Sequence, residues 1–225
     1  MEGLYNLEYI YLIPITLSAA LSIRSFSLKW KKSFKIFSIL LCITLIIELF
    51  AISWEWDFYK NNIWNLPQSN LWIYNGFTTV RHIFLMTFFY YIINSPILKK
   101  MILWTSFIFF IFSLINYCLI QTPFKVNSYS MIISNTLITS IVILFFKQIL
   151  NDRKVIRLIS STEVWIGIGI LLYYSGTLPL FILFNKLIAS NSPLLTTLLF
   201  INDGLNVIMY SLFFTAFLCS PQIQK

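Results

Sequence analysis

The chain is poor in charge. Only 11% of its 225 residues are Asp, Glu, Lys or Arg, while 58% are hydrophobic. A soluble domain carries roughly 25% charged residues. So few charges cannot cover that much apolar side chain in water, which excludes a water-soluble fold and leaves lipid as the solvent. Histidine occurs once, as His82, and this excludes bis-histidine haem and multi-histidine metal sites. Cysteine occurs three times, at Cys42, Cys118 and Cys219. All three fall inside or at the end of apolar runs, without metal-type spacing, and read as inert buried thiols. There is no H-E-x-x-H zinc motif, no G-x-S-x-G nucleophile elbow and no Walker A sequence. The last apolar run has no lysine to carry a retinal Schiff base, and Asp203-Gly204 reverses the order used by aspartyl intramembrane proteases, with no second intramembrane aspartate. No catalytic set, metal site or cofactor is expected.

What is present is a series of long apolar runs. They cover about 7–23, 34–53, 71–94, 101–120, 131–150, 164–184 and 194–219. A spanning helix needs about 20 residues, and open sheet edges cannot exist in hydrocarbon. The expected fold is therefore all-α, a polytopic transmembrane bundle of seven spanning helices that forms one domain over residues 1–225. The longest polar connection, residues 54–70, is too short for a soluble domain of about 50 residues. The chain opens on Glu2 and Glu8, and its first run ends in Arg24, which fits a retained first helix rather than a cleaved signal peptide. Pro14 in the first run, and Gly167, Gly169, Gly176 and Pro179 in the sixth, mark sites of close packing or of a kink.

The net charge of +8 sits in short loops, so it reads as topology and not as nucleic-acid binding. Arg24, Lys29, Lys31, Lys32, Lys35, Lys99, Lys100, Lys147, Arg153, Lys154, Arg157 and Lys225 fall on one side; Lys60, Lys125 and Lys186 fall on the other. The positive-inside rule then predicts an N-terminus outside and a C-terminus in the cytoplasm of a multi-pass cell (inner) membrane protein. Trp54, Trp56, Trp64 and Trp72 are expected at the outer interface, and Trp30, Trp104 and Trp165 at the inner one.

Among the charged residues within the spans, three stand out for their depth: Glu48, Arg81 and Asp203. At 1.5 Å per residue, Arg81 and Asp203 lie roughly 14–15 Å from the outer ends of their helices, and Glu48 about 8 Å from its own. Arg81 is thus placed to pair with Asp203 or with Glu48. Asn75, Thr78, Thr79 and His82 share one helical face with Arg81 at its edge. Asn202, Asp203, Asn206 and Tyr210 share another. Two such faces at equal depth predict a polar site in the outer half of the bundle, made of Arg81, His82, Asp203, Glu48, Asn75, Asn202, Asn206 and Tyr210. Plain interhelical hydrogen bonding is the competing reading of the same residues.

Val164-Trp165-Ile166-Gly167, Leu171-Leu172-Tyr173-Tyr174-Ser175-Gly176, Leu178-Pro179-Leu180-Phe181 and Asn202…Asn206…Tyr210, together with Tyr74-Asn75, carry a resemblance. The chain resembles uncharacterised seven-helix integral membrane proteins of Bacteroidetes-type bacteria, similar to the membrane modules of some histidine kinases. The resemblance implies a sensory role, and the absence of a kinase domain from these 225 residues implies a separate partner. The chain departs from the pattern at Arg81-His82, where the resemblance implies glutamate. The expected function is a sensory or signalling subunit that binds a small ligand, ion or proton and acts through a cytoplasmic partner. A small transporter or channel subunit is the alternative, and an intramembrane lipid-modifying enzyme comes last, since no motif supports it. The expected partners are the lipid bilayer and either a cytoplasmic signalling protein or a second copy of the chain, with no nucleic acid.

Overall fold

A computed structural model describes residues 9–27, 30–54, 70–151, 161–190 and 192–219. Glu2, Glu8, Lys29, Trp56, Lys60, Trp64, Arg153, Lys154, Arg157 and Lys225 lie outside these described residues, as do the first residues of the first expected span. The described part is an all-α bundle without strands. Its helices are α1 (Leu12–Ser22), α2 (Lys32–Ser53), α3 (Leu71–Ile92), α4 (Pro96–Ile115), α5 (Ser128–Asn151), α6 (Thr162–Ala189) and α7 (Leu194–Leu218). A 3₁₀ turn, Ile23–Phe26, continues α1, and a π-helical turn, Asn116–Ile120, continues α4.

The ends of these helices follow local chemistry. Ser95 caps α4 by accepting from the Leu98 amide, with Pro96 in the first position, where a missing N–H costs nothing. Pro14 falls in the first turn of α1 for the same reason and leaves that helix unbroken. α6 runs five residues beyond its expected end, because Asn185 and Lys186 continue it as far as Ala189. The Asn185 side chain donates to Ser128 Oγ and the Val126 carbonyl, which holds this polar last turn against the start of α5.

Neighbouring helices pack as α1–α2–α3–α5–α6–α7 and back to α1, a closed ring, with α4 outside it against α3 and α5. Consecutive helices alternate in direction. One end of the bundle gathers Arg24, Lys31, Lys32, Lys35, Lys99, Lys100 and Lys147. There Lys31 pairs with Glu163 at 2.9 Å, and Lys32 and Lys99 stand over the rings of Tyr91 and Tyr90. Side chains fill the ring on this side: Trp30, Phe34, Phe37, Phe88, Phe213 and Phe217 are buried, with Phe37 only 4.9 Å from Phe213 and 5.1 Å from Phe88 between ring centroids. Trp30 therefore packs into the core against Phe34 and Phe217 and does not sit at an interface. Its indole is more useful as core volume than as a boundary anchor.

The exterior is apolar. Ile13, Ile46, Trp104 and Leu119 are each more than 60% exposed, while Ser18, Ser22, Ser38, Thr44, Asn75, His82, Asn135 and Thr177 are buried. Water would not tolerate such an outer surface, whereas lipid requires it. Five helical segments, on α2, α4 with its π turn, α5, α6 and α7, are long and apolar enough to cross a membrane. The protein is membrane-embedded. At 22 residues α3 matches them in length but carries Asn75, Thr78, Thr79, Arg81 and His82. α1 with its 3₁₀ turn is shorter.

Hydrogen bonds stitch the interior. Ser25 and Ser38 join α1 to α2 through their hydroxyls at 2.6 Å, and Ser38 also donates to the Ser22 carbonyl. Asn135 on α5 donates to Thr177 on α6 at 2.9 Å. Glycines set the α6–α7 spacing: a Cβ on Gly169 would stand 2.9 Å from the Phe213 ring and 3.3 Å from the Met209 carbonyl oxygen.

Candidate functional site

The ring is not filled throughout. In the half opposite the basic residues it holds a partly open cavity of about 270 Å³. The start of α1 contributes Tyr11, the end of α2 Glu48, the start of α3 Tyr74, Thr78 and Arg81, the end of α6 Leu180, Phe181 and Phe184, and the start of α7 Leu198, Asn202, Asp203 and Asn206. Alternation of helix direction brings these ends to one level. All three intramembrane charges predicted from the sequence reach this one space.

Glu48 is held by two tyrosines. The hydroxyls of Tyr11 and Tyr74 both donate to Glu48 Oε2, each at 2.9 Å. Two donors converging on a single oxygen suit a carboxylate acceptor, and hydrogen bonds to a charged group contribute about 1.5–3 kcal/mol each. Together they are large enough to offset the roughly 3 kcal/mol that a charge costs at mid-membrane. Arg81 is stabilised differently. Its guanidinium lies over the rings of Tyr173 and Tyr174, 5.9 and 5.6 Å from their centroids. Such cation–π contacts contribute about 2 kcal/mol when desolvated. Arg81 is near enough to Glu48 for their charges to attract, yet among the described residues no ion pair joins them. Asp203 lies on the same wall and near the Tyr11 hydroxyl.

The face of α3 predicted to form the site divides in two. Thr78 and Arg81 look into the cavity, whereas Asn75, Thr79 and His82 turn towards α4 and α5. The Asn75 amide donates to the Pro123 and Lys125 carbonyls at 2.8 and 2.7 Å, and its oxygen accepts from the Asn127 amide at 3.1 Å. Thr79 pairs with Ser113 on α4. His82 is fully buried, with Nδ1 2.9 Å from Ser134 Oγ and its ring 4.0 Å from that of Phe109. The division follows from packing, because α3 is flanked by α4 and α5 on one side and faces the ring interior on the other. On α7, Asn202, Asp203 and Asn206 line the cavity, and Tyr210 lies buried deeper, close enough to Arg81 to sense its charge.

Sequence reasoning missed Tyr11, Tyr173 and the role of Tyr74. The α3 signal was available: Tyr74, Thr78 and Arg81 stand at offsets 0, 4 and 7, a second helical face beside the one carrying Asn75 and His82. Among the described residues no group of His, Cys, Asp and Glu could hold a metal ion. The cavity instead offers carboxylate and amide acceptors, hydroxyls and one guanidinium beside an apolar wall. No protein-family model matches the chain, and comparison with curated proteins and with solved structures finds no match either.

Proposed function

We propose that this chain is a sensory or signalling subunit of the cell (inner) membrane, with all seven helices spanning. Its N-terminus is outside, its C-terminus is cytoplasmic, and it binds a small ligand in the outer half of the bundle. The observation that carries this reading is the blind cavity. It gathers Glu48, Arg81 and Asp203 in one half of the ring, and the other half is filled by Trp30, Phe34, Phe37, Phe88, Phe213 and Phe217. Intramembrane charges around a cavity are the usual mark of a functional site. A packed second half supports binding over conduction. The gathering of basic residues at the far end supports the orientation, and anionic lipid is their first partner.

α6 supplies the route to the cytoplasmic side. Its last turns line the cavity with Leu180, Phe181 and Phe184, and its first turn holds Glu163 against Lys31. Filling the cavity presses on one end of a helix whose other end is clasped to the start of α2. A separate cytoplasmic protein, or a second copy of the chain, reads that displacement. The resemblance of the α6 and α7 sequences to kinase membrane modules favours the same output.

The intramembrane charges also favour a second reading, a small transporter or channel subunit. Flux through proteoliposomes separates the two. The sensory reading expects neither ion flux nor uptake of small solutes, together with a cytoplasmic partner recovered by pull-down that is lost when Arg24, Lys31, Lys32 and Lys35 are neutralised. Saturable uptake that disappears in Arg81→Ala would establish transport instead.

A further inference from the structure

We infer that the ligand is a small zwitterion with an apolar body, bound by its ammonium group at Glu48 and by its anionic group at Arg81. This deepens the proposed function and rests on reading the cavity as a ligand site. Glu48 takes both tyrosine hydroxyls on Oε2, so Oε1 has no partner among the described residues. Asn202 Oδ1, on the same wall, is also a buried acceptor with no partner among them. Both lack donors, and an ammonium group supplies three. The tyrosine rings around Glu48 suit a cation in addition.

The second half of the recognition is Arg81. Opposite charges in a low-dielectric space attract strongly and normally close into contact, but Glu48 and Arg81 both line the cavity with no ion pair between them among the described residues. Along the helix axes their positions differ by roughly 7 Å at 1.5 Å per residue. A ligand carrying an ammonium and an anion a few bonds apart bridges such a gap, with a charge-assisted contact of about 2.8 Å at each end. Phe181, Phe184 and Leu198 leave an apolar wall for the rest of the molecule. The volume of about 270 Å³ lies just below the usual range of ligand sites, which begins near 300 Å³. It fits a free apolar α-amino acid, or the zwitterionic headgroup of a lipid.

The test uses the full chain in nanodiscs of phosphatidylglycerol alone, with thermal stability and calorimetric binding as readouts. The probes are L-phenylalanine, phenethylamine, which lacks the carboxylate, and 3-phenylpropionate, which lacks the ammonium. L-Phenylalanine is expected to bind at least tenfold more tightly than either single-charge probe. Glu48→Gln should weaken L-phenylalanine at least tenfold and leave 3-phenylpropionate unchanged, and Arg81→Gln should weaken it equally and leave phenethylamine unchanged. Should either variant fail to fold, the ranking of the three probes on the wild-type chain still decides. Adding phosphatidylethanolamine to the discs separates the two sources: a headgroup ligand raises stability by itself and competes with L-phenylalanine, and a free amino acid does not. Equal or tighter binding of a single-charge probe overturns the ligand class while leaving the cavity as a ligand site. If no probe binds in either lipid, the zwitterion is overturned, and flux in proteoliposomes then decides the fate of the sensory reading.

Discussion

Replacing Asn75 removes three hydrogen bonds at once, and the structure fixes what each removal does. The side chain is 2% exposed. Its amide nitrogen donates to Pro123 and Lys125, and its oxygen accepts from Asn127, so one residue of α3 holds the connection between α4 and α5. That connection includes Thr122 at φ 58°, a backbone conformation that L residues rarely adopt and that surrounding contacts must enforce. A net hydrogen bond contributes about 1 kcal/mol, so Asn75→Ala should cost about 3 kcal/mol. Asn75→Asp is the sharper variant. It keeps the acceptor for Asn127 but sets an oxygen against two carbonyl oxygens, so it should destabilise at least as much as alanine despite its size and polarity. Equilibrium unfolding in mixed micelles measures the loss, and hydrogen exchange at the Asn127 amide locates it. If Asn75→Ala unfolds like the wild type and the Asn127 amide stays protected, the residue is not a structural pin.

Other positions give contrasting outcomes. Gly169→Ala forces a methyl to 2.9 Å from Phe213 and 3.3 Å from the Met209 carbonyl, so it should cost about 1–3 kcal/mol in the same unfolding assay. Gly76→Ala meets nothing within 4 Å and should be neutral or stabilising by up to about 1 kcal/mol; equal effects at the two sites would rule out steric control of the α6–α7 spacing. Tyr11→Phe and Tyr74→Phe each take one donor from Glu48 Oε2. The double variant should lose more stability than the two single losses added together, since the second change leaves the carboxylate without either hydroxyl; additive losses would show that the hydroxyls act independently. Lys31→Ala breaks the Lys31–Glu163 pair, in which the Lys31 side chain is 47% exposed, so it should cost under about 1 kcal/mol and less in high salt; a loss of several kcal/mol would mean that the ring depends on this clasp.

Depth was legible in the sequence and rotation was not. Helix rise alone places Arg81, Asp203 and Glu48 in the same half of the bundle, because a spanning helix is a ruler whose zero is set by the last apolar residue. All three line one cavity. Rotation depends on which neighbours flank a helix, and a sequence does not carry that. Asn75, Thr79 and His82 share a face with each other, but α4 and α5 claim that face, and Asn75 is spent on a loop whose carbonyls need donors. Trp30 shows the same gap. Composition marks a tryptophan near a basic loop as an interface residue, yet Phe34 and Phe217 surround it and bury it.

The tyrosines show why the chemistry of the site lay outside any single segment. Tyr11, at the N-cap of α1, and Tyr74 on α3 stand 63 positions apart, and Glu48 lies on α2 between them. No spacing rule connects three different helices. What connects them is alternation of direction, which carries the start of α1, the end of α2 and the start of α3 to one level, combined with the cost of an unsatisfied carboxylate in hydrocarbon. Given one buried carboxylate, that cost requires donors at the same depth on the flanking helices. A search for hydroxyls within a turn of the level of Glu48 would have reached both tyrosines. Arg81 escapes such a search because it leans on the faces of Tyr173 and Tyr174. Ring contacts of that kind stabilise a cation, and Arg81 also hydrogen-bonds the Tyr173 side chain. The guanidinium lines the cavity, near Glu48 but not joined to it by an ion pair among the described residues.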